Sequence, residues 1–222
     1  MDTFDLYKDI QCRTNGEIYL GVVGPVRSGK STFIKRFMDV LVLPKMTDEH
    51  AKERTVDELP QSASGKSIMT TEPKFVPKEA AEIQLAKDVS VLVRLIDCVG
   101  YMVEGAAGHM ENGAERLVKT PWNEKEIPFT KAAEIGTKKV IHDHSTIGIV
   151  VTTDGSIGEL PRNSYRAAEK KTIQELKSIG KPFVVLVNTR KPYSAEAKNV
   201  AEEIQKEYQV TVDRPVTEAF LE

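Results

Sequence analysis

Apolar residues along this 222-residue chain follow two periods. Four short runs, Ile18–Val23, Val89–Ile96, Ile147–Thr152 and Phe183–Val187, place Val, Ile or Leu at successive positions. Short runs this rich in apolar residues predict strands buried on both faces of a mainly parallel sheet. Between them the spacing changes to three and four. Phe33, Ile34, Phe37, Val40 and Leu41 share one face of a helix from Lys30 to Leu43, which Pro44 stops. Lys131–His142, Arg162–Ile179 and Ala195–Tyr208 read as further helices, with Gly180 and Pro182 closing the Arg162 helix. Lys74–Val76 and Ile83–Leu85 lie too close to the Val89 strand for a crossover helix, so they predict an antiparallel hairpin and a mixed sheet. The alternation predicts a three-layer α/β fold with helices on both faces. Lys45–Met69 and Tyr101–Phe129 take no assignment; loops this long inside a compact domain are usually functional or mobile.

Composition narrows the function classes. The net charge is −2 and the pI about 6.2, which gives no electrostatic case for nucleic acid. Two cysteines, Cys12 and Cys98, are too few for a secreted disulfide scaffold, so a reduced, cytosolic setting is expected. The opening MDTFDLYKDI has no basic and apolar signal pattern. No apolar run approaches the roughly 20 residues that a spanning helix needs.

Gly24-Pro25-Val26-Arg27-Ser28-Gly29-Lys30-Ser31 fits the pattern G-x-x-x-x-G-K-S/T between an apolar strand and an amphipathic helix. The glycines let the backbone wrap a phosphate, and successive N–H groups form an anion nest at a helix N-terminus. In that reading Lys30 bridges the β- and γ-phosphates, Ser31 ligates Mg²⁺, and Thr32 donates to the α-phosphate. Leu95-Ile96-Asp97-Cys98-Val99-Gly100 carries a second element, D-x-x-G after a strand. Asp97 is expected at the Mg²⁺ shell, and the Gly100 N–H beside the γ-phosphate. Thr70 or Thr71, in the loop before the hairpin, is expected to complete the metal shell and sense the triphosphate; the residues alone do not choose between them.

This order of motifs is that of the translation-factor-like GTPase class of P-loop proteins. Such GTPases read guanine with N-K-x-D, whose carboxylate accepts two hydrogen bonds from the base. Here Val187 is followed by Asn188-Thr189-Arg190-Lys191, so a donor-only lysine stands where the acceptor is needed. Asn188 and Arg190 remain as base-side candidates. Losing the acceptor removes guanine discrimination, and ATP becomes the expected nucleotide unless another carboxylate substitutes in space. Tyr101 follows Gly100 where many of these GTPases place a water-orienting glutamine, so intrinsic hydrolysis is expected to be slow. Potassium-dependent members hold K⁺ with an asparagine at the position of Arg27. A guanidinium there can act as a built-in arginine finger, the alternative being a solvent-facing side chain.

YKDI, RTNGEIYLGVVG, GPVRSGKSTFIKRFM, DELPQSASGKSIMTTEPKFVP, RLIDCVGY, AAEIGTKKVIHDHSTIGIVVTTDGSIG and GKPFVVLVN together resemble the N-terminal domain of the stage IV sporulation protein A family, morphogenetic ATPases of endospore-forming bacteria. DELPQSASGK with TTEPKFVP is more specific than any nucleotide motif. The resemblance implies ATP and Mg²⁺ as cofactors and hydrolysis coupled to self-association into the basement layer of the spore coat. It further implies contacts with other coat and forespore-surface proteins, on the mother-cell side of the forespore. It makes Lys30 the Walker A lysine, Thr70 and Thr71 the sensor threonines and Asp97 the Walker B aspartate. Family members continue beyond residue 222. The chain therefore reads as an N-terminal extension over 1–16 and an ATPase domain over 17–222 of a longer protein, with membrane contact indirect or through the absent C-terminal region. Two other functions compete: a GTPase switch, and a nucleotide-binding structural module without significant hydrolysis. His109, His142 and His144 lack zinc-like spacing. Cys98 reads as a small buried hydrophobe, and Trp122 as a pin for the long loop or a subunit contact.

Overall fold

The computed structural model describes residues 16–60, 72–86, 89–111 and 113–213. Its centre is a six-stranded sheet in the order β10-β9-β8-β1-β3-β2. The strands are β1 (Glu17–Val23), β2 (Lys74–Ala86), β3 (Val89–Asp97), β8 (Ile147–Thr153), β9 (Phe183–Asn188) and β10 (Val212–Asp213). All neighbours run parallel except β2, which pairs antiparallel with β3. The sheet is therefore mixed and mostly parallel.

Alternate residues of each strand face opposite layers. Val22, Val91, Val93, Leu95, Ile149, Val151 and Leu186 join one apolar cluster, with Phe33, Ile34 and Met38 from helix α1 (Lys30–Phe37). Val23, Ile96, Val150, Val185 and Val187 join a second cluster on the other face. Its helical partners are Tyr165, Ala168, Ile173 and Leu176 of α4 (Arg162–Ser178) and Ala201, Ile204 and Tyr208 of α5 (Ala195–Tyr208). Val140 and Ile141, in the turn that follows α3 (Phe129–Lys139), join it, as do Val26, Cys98, Tyr101, Val103 and Ala106. Burial on both faces explains why these strands read as nearly continuous apolar runs.

Lys74–Val76 and Ile83–Leu85 are parts of one strand, β2, which makes the expected antiparallel hairpin with β3; a register shift between Val76 and Ala81 separates the two parts. Three local expectations need correction. The Lys30 helix stops being regular at Phe37 and continues as a wide π-type turn, Met38–Val42, then a 3₁₀ turn, Leu43–Lys45. The stretch after Lys45 contains α2 (Glu49–Glu58), whose Asp48 cap accepts from the His50 and Ala51 N–H groups at 2.9 and 3.1 Å. The Tyr101–Phe129 stretch carries two small hairpins, β4 (Met110–Glu111) with β5 (Ala114–Glu115), and β6 (Leu117–Thr120) with β7 (Asn123–Pro128). They dock on the start of α3. Phe129 N donates to Arg116 O at 2.8 Å, Arg116 covers the Phe129 ring at 4.4 Å, and the Thr130 hydroxyl and N–H both donate to Glu115. Among the described residues no helix is long and apolar enough to cross a membrane.

Candidate phosphate-binding site

The phosphate loop leaves the carboxyl end of β1 and enters α1, and the register of β1 and β3 sets Val22 opposite Asp97. The loop and the strand-end acid are therefore neighbours by backbone pairing. The segment after Asp97 is stitched to the loop from below. Tyr101 N donates to Gly24 O at 3.1 Å, and Val26 N donates to Tyr101 O at 2.8 Å. Close approach here requires glycine. Gly100 has φ +95°, and a Cβ on it would lie 2.2 Å from Gly24 O and 2.6 Å from Lys30 Nζ. Gly29 has φ +91° and caps α1, and a Cβ there would lie 2.2 Å from Asn188 Nδ2. Arg27 also takes a left-handed φ of 60°, which costs a residue with a Cβ about 1 kcal/mol and persists only because the loop around it is pinned.

Inside this cradle Lys30 is buried, and its Nζ donates to Pro25 O at 2.6 Å. Burial lowers its pKa, against the pull of Asp97 and the Cys98 thiol. Ser31 Oγ donates to Asp97 Oδ2 at 2.7 Å. Asp97 Oδ1 is buried without a hydrogen-bond partner, as is Ser28 Oγ. Desolvation raises the Asp97 pKa, opposed by the Ser31 hydroxyl and the Lys30 charge. Enclosed lone pairs with nothing to accept are costly, and a cation or a donor relieves them. The donor set, a hydroxyl and a carboxylate oxygen beside a buried ammonium, has the hard-oxygen chemistry that suits Mg²⁺ with a polyphosphate. On the far side Asn188, the last residue of β9, donates from Nδ2 to Ser28 O at 3.1 Å and keeps a buried, unpartnered Oδ1.

The family model described as "Stage IV sporulation protein A, ATPase domain" matches residues 1–219. The chain belongs to that family. Stage IV sporulation protein A of Clostridioides difficile (strain 630) is 57% identical over 208 residues, 94% of this chain and 42% of that protein. Proteins of the same name from Bacillus anthracis and Bacillus subtilis (strain 168) are each 52% identical over 212 residues, 96% of this chain and 43% of theirs. The chain thus spans about two fifths of the length of these relatives. Crystal structures of two SsGBP mutation variants give TM-scores of 0.47 and 0.46 at 13% and 16% identity. They cover 94% and 95% of this chain and 52% of theirs.

In this member of the sporulation family the structure brings together Gly24, Pro25, Val26, Ser28, Gly29, Lys30, Ser31, Asp97, Gly100 and Asn188. Thr32 follows in the first turn of α1. Thr70 and Thr71 lie outside the described residues. The exposed Arg27 sends Nη2 to Ala107 O at 3.3 Å, in the segment before β4. Arg190 is exposed and meets this region through its backbone, Arg190 N donating to Ser156 Oγ at 3.0 Å. Tyr101 is 3% exposed and packs in the second core cluster, with Lys171 Nζ 4.6 Å from its ring centre. Its backbone serves the loop while its side chain points into the core. Cys98 is buried, with burial pushing its thiol up to about 11, and it donates to Val22 O at 3.5 Å. Residue patterns did not single out Asp154, Ser156 and Thr189, which join the turns after β8 and β9. The available signal was an Asp-Gly turn at the end of an apolar run, together with a threonine inside the altered N-K-x-D segment.

Proposed function

We propose that the chain is a Mg²⁺-dependent ATPase of the translation-factor-like P-loop class. Its nucleotide cycle drives self-assembly of the basement layer of the spore coat, on the mother-cell side of the forespore. The observation that carries the reading is the pairing of Ser31 with Asp97 at 2.7 Å, beside a buried Lys30 folded onto its own loop. These three groups have no purpose in packing, since each is polar and two are held away from their ordinary ionisation by burial. The strand order, with an antiparallel edge strand beside β3, supports the class.

Mg²⁺, when bound, neutralises charge on the polyphosphate. Ser31 and Asp97 are the residues that would hold it. Lys30 supplies the cation for the β- and γ-phosphates, and the loop N–H groups supply the rest of the anion nest. The Asn188-Thr189-Arg190-Lys191 segment lacks the carboxylate that guanine requires, which favours ATP. The name shared by the relatives supports sporulation as the setting. Self-association, contact with other coat and forespore-surface proteins, and any membrane contact through the region that the longer relatives carry belong to the same proposal.

Phosphate release with Mg²⁺ and either purine triphosphate tests the activity. Lys30→Ala and Asp97→Ala are each expected to lose at least about 100-fold, by analogy with loss of a preorganised electrostatic group. Unchanged release in both variants refutes the ATPase reading. A second reading, nucleotide binding without hydrolysis, draws support from the core position of the Tyr101 side chain; binding with no release in the unaltered chain would favour it.

A further inference from the structure

We propose that the base is selected by a carboxylate whose two oxygens are both engaged from within: Asp154, held by Thr189 and Ser156. This rests on the ATPase reading above and names the residues that set its nucleotide preference.

The turns after β8 and β9 meet beside the phosphate loop. A Cβ on Gly29 would lie 3.5 Å from Ile157 Cδ1, in the first turn, and 2.2 Å from Asn188 Nδ2, at the start of the second. A ligand that extends from the loop along the carboxyl ends of β8 and β9 meets both turns. At their junction Asp154 Oδ1 accepts from Ser156 N at 2.9 Å and from Ser156 Oγ at 2.6 Å. Asp154 Oδ2 accepts from Thr189 Oγ1 at 2.5 Å. Both hydroxyls pass the chain of bonds onward, Ser156 Oγ accepting from Arg190 N at 3.0 Å and Thr189 Oγ1 from Lys191 N at 3.1 Å.

Guanine presents two adjacent donors on one edge, the ring N1–H and the 2-amino group, and a carboxylate is the acceptor that matches both. Adenine has an acceptor and a C–H at those two positions. Lys191 offers guanine no acceptor, whereas Asp154 is a carboxylate at this junction. It is half-buried and so within reach of solvent, yet its oxygens already carry three bonds from the chain. Oδ1 carries two of these bonds and Oδ2 one, so a guanine placed here gives up water at two donors and finds one acceptor site at most, while adenine surrenders less. Asn188 Oδ1, buried without a partner in the same place, is an acceptor that a 6-amino group can fill and a 6-carbonyl cannot.

Thr189 is fully buried, and valine has its shape without the donor. Thr189→Val therefore releases Asp154 Oδ2, and Thr189→Ser keeps it engaged. The experiment is calorimetric titration of the whole chain with the Mg²⁺ complexes of ATP, GTP and ITP. In T189V the GTP-to-ATP affinity ratio is expected to rise about tenfold, the worth of one charge-assisted bond. ITP lacks the 2-amino donor and is expected to gain less. T189S is expected to keep the unaltered ratio. An unchanged ratio in a T189V that still binds ATP overturns this inference alone, as does an equal gain for GTP and ITP, which would mean only a loosened turn. Should T189V not fold, S156A releases one bond on Oδ1 and is judged by the same ratios. Absence of binding of all three nucleotides by the unaltered chain overturns the ATPase reading and this inference with it.

Discussion

Gly100→Ala separates two effects that most mutations mix. The first is conformational. Gly100 has φ +95°, where a residue with a Cβ costs about 1–2 kcal/mol. The second is contact. The new methyl group would stand 2.2 Å from Gly24 O and 3.1 Å from Pro25 C, both backbone atoms that no rotamer change can move. Relief requires the Gly100–Tyr101 segment to part from the phosphate loop. That costs the bonds Tyr101 N→Gly24 O and Val26 N→Tyr101 O, about 1 kcal/mol each. The total is about 3–4 kcal/mol. Gly113→Ala is the control, since Gly113 has φ +80° with nothing within 4 Å of its missing Cβ. It carries the conformational cost alone, about 1–2 kcal/mol. The difference, about 2 kcal/mol, corresponds to about 4–8 °C in Tm for a domain of this size. Urea and thermal unfolding of the two variants measure it. Nucleotide titration adds a second readout, because the same methyl group would stand 2.6 Å from Lys30 Nζ. Gly100→Ala is expected to weaken Mg²⁺-ATP binding at least about tenfold, and Gly113→Ala to leave it unchanged. Two variants within about 0.5 kcal/mol of each other, both binding nucleotide normally, would refute the claim that Gly100 is there for close approach.

Other perturbations have equally definite outcomes. Glu169 is 2% exposed and accepts from Thr152 Oγ1 at 2.6 Å and from both terminal nitrogens of Arg162 at 2.6 and 2.8 Å. Glu169→Ala strands that guanidinium against β8 and is expected to cost about 3–5 kcal/mol in urea unfolding; a loss under 1 kcal/mol would contradict it. Tyr101→Phe removes a buried hydroxyl that has no partner, so stability should hold or rise by about 1 kcal/mol and phosphate release should stay within about twofold. A tenfold drop in turnover would place the hydroxyl in the chemistry. Asp97 gives a pH signature in the chain without nucleotide. Its folded pKa is raised, so the folded state holds the proton more tightly than the unfolded state. Its contribution to stability therefore falls as pH climbs from the ordinary carboxylate range to the raised value. Asp97→Asn removes that loss and should be more stable than the unaltered chain at neutral pH, with the gap closing on acidification. A gap that widens in acid would reverse the sign of the argument.

The order of residues is enough to reveal the strand-and-helix alternation and the phosphate loop. Apolar runs such as Ile147–Thr152 and Phe183–Val187 need two covering layers, and the glycine pattern from Gly24 to Gly29 needs a wrapped anion. Both are local demands that a few consecutive residues state in full. It could also have shown more of the Tyr101–Phe129 stretch, because Asn112-Gly113 is a hairpin dipeptide. That signal is weak because most of these positions are exposed, so few apolar residues mark the period. Which side chains meet is a matter of long-range packing. The Tyr101 side chain enters the core because its backbone is tied to the phosphate loop, a bond across 77 residues of chain for Gly24 and 75 for Val26. Asp154 and Thr189 touch because β8 and β9 lie side by side with Thr153 in register with Asn188. A motif specifies its own backbone, but the partner of a carboxylate is set by strand order, and strand order is settled only when both faces of the sheet are covered.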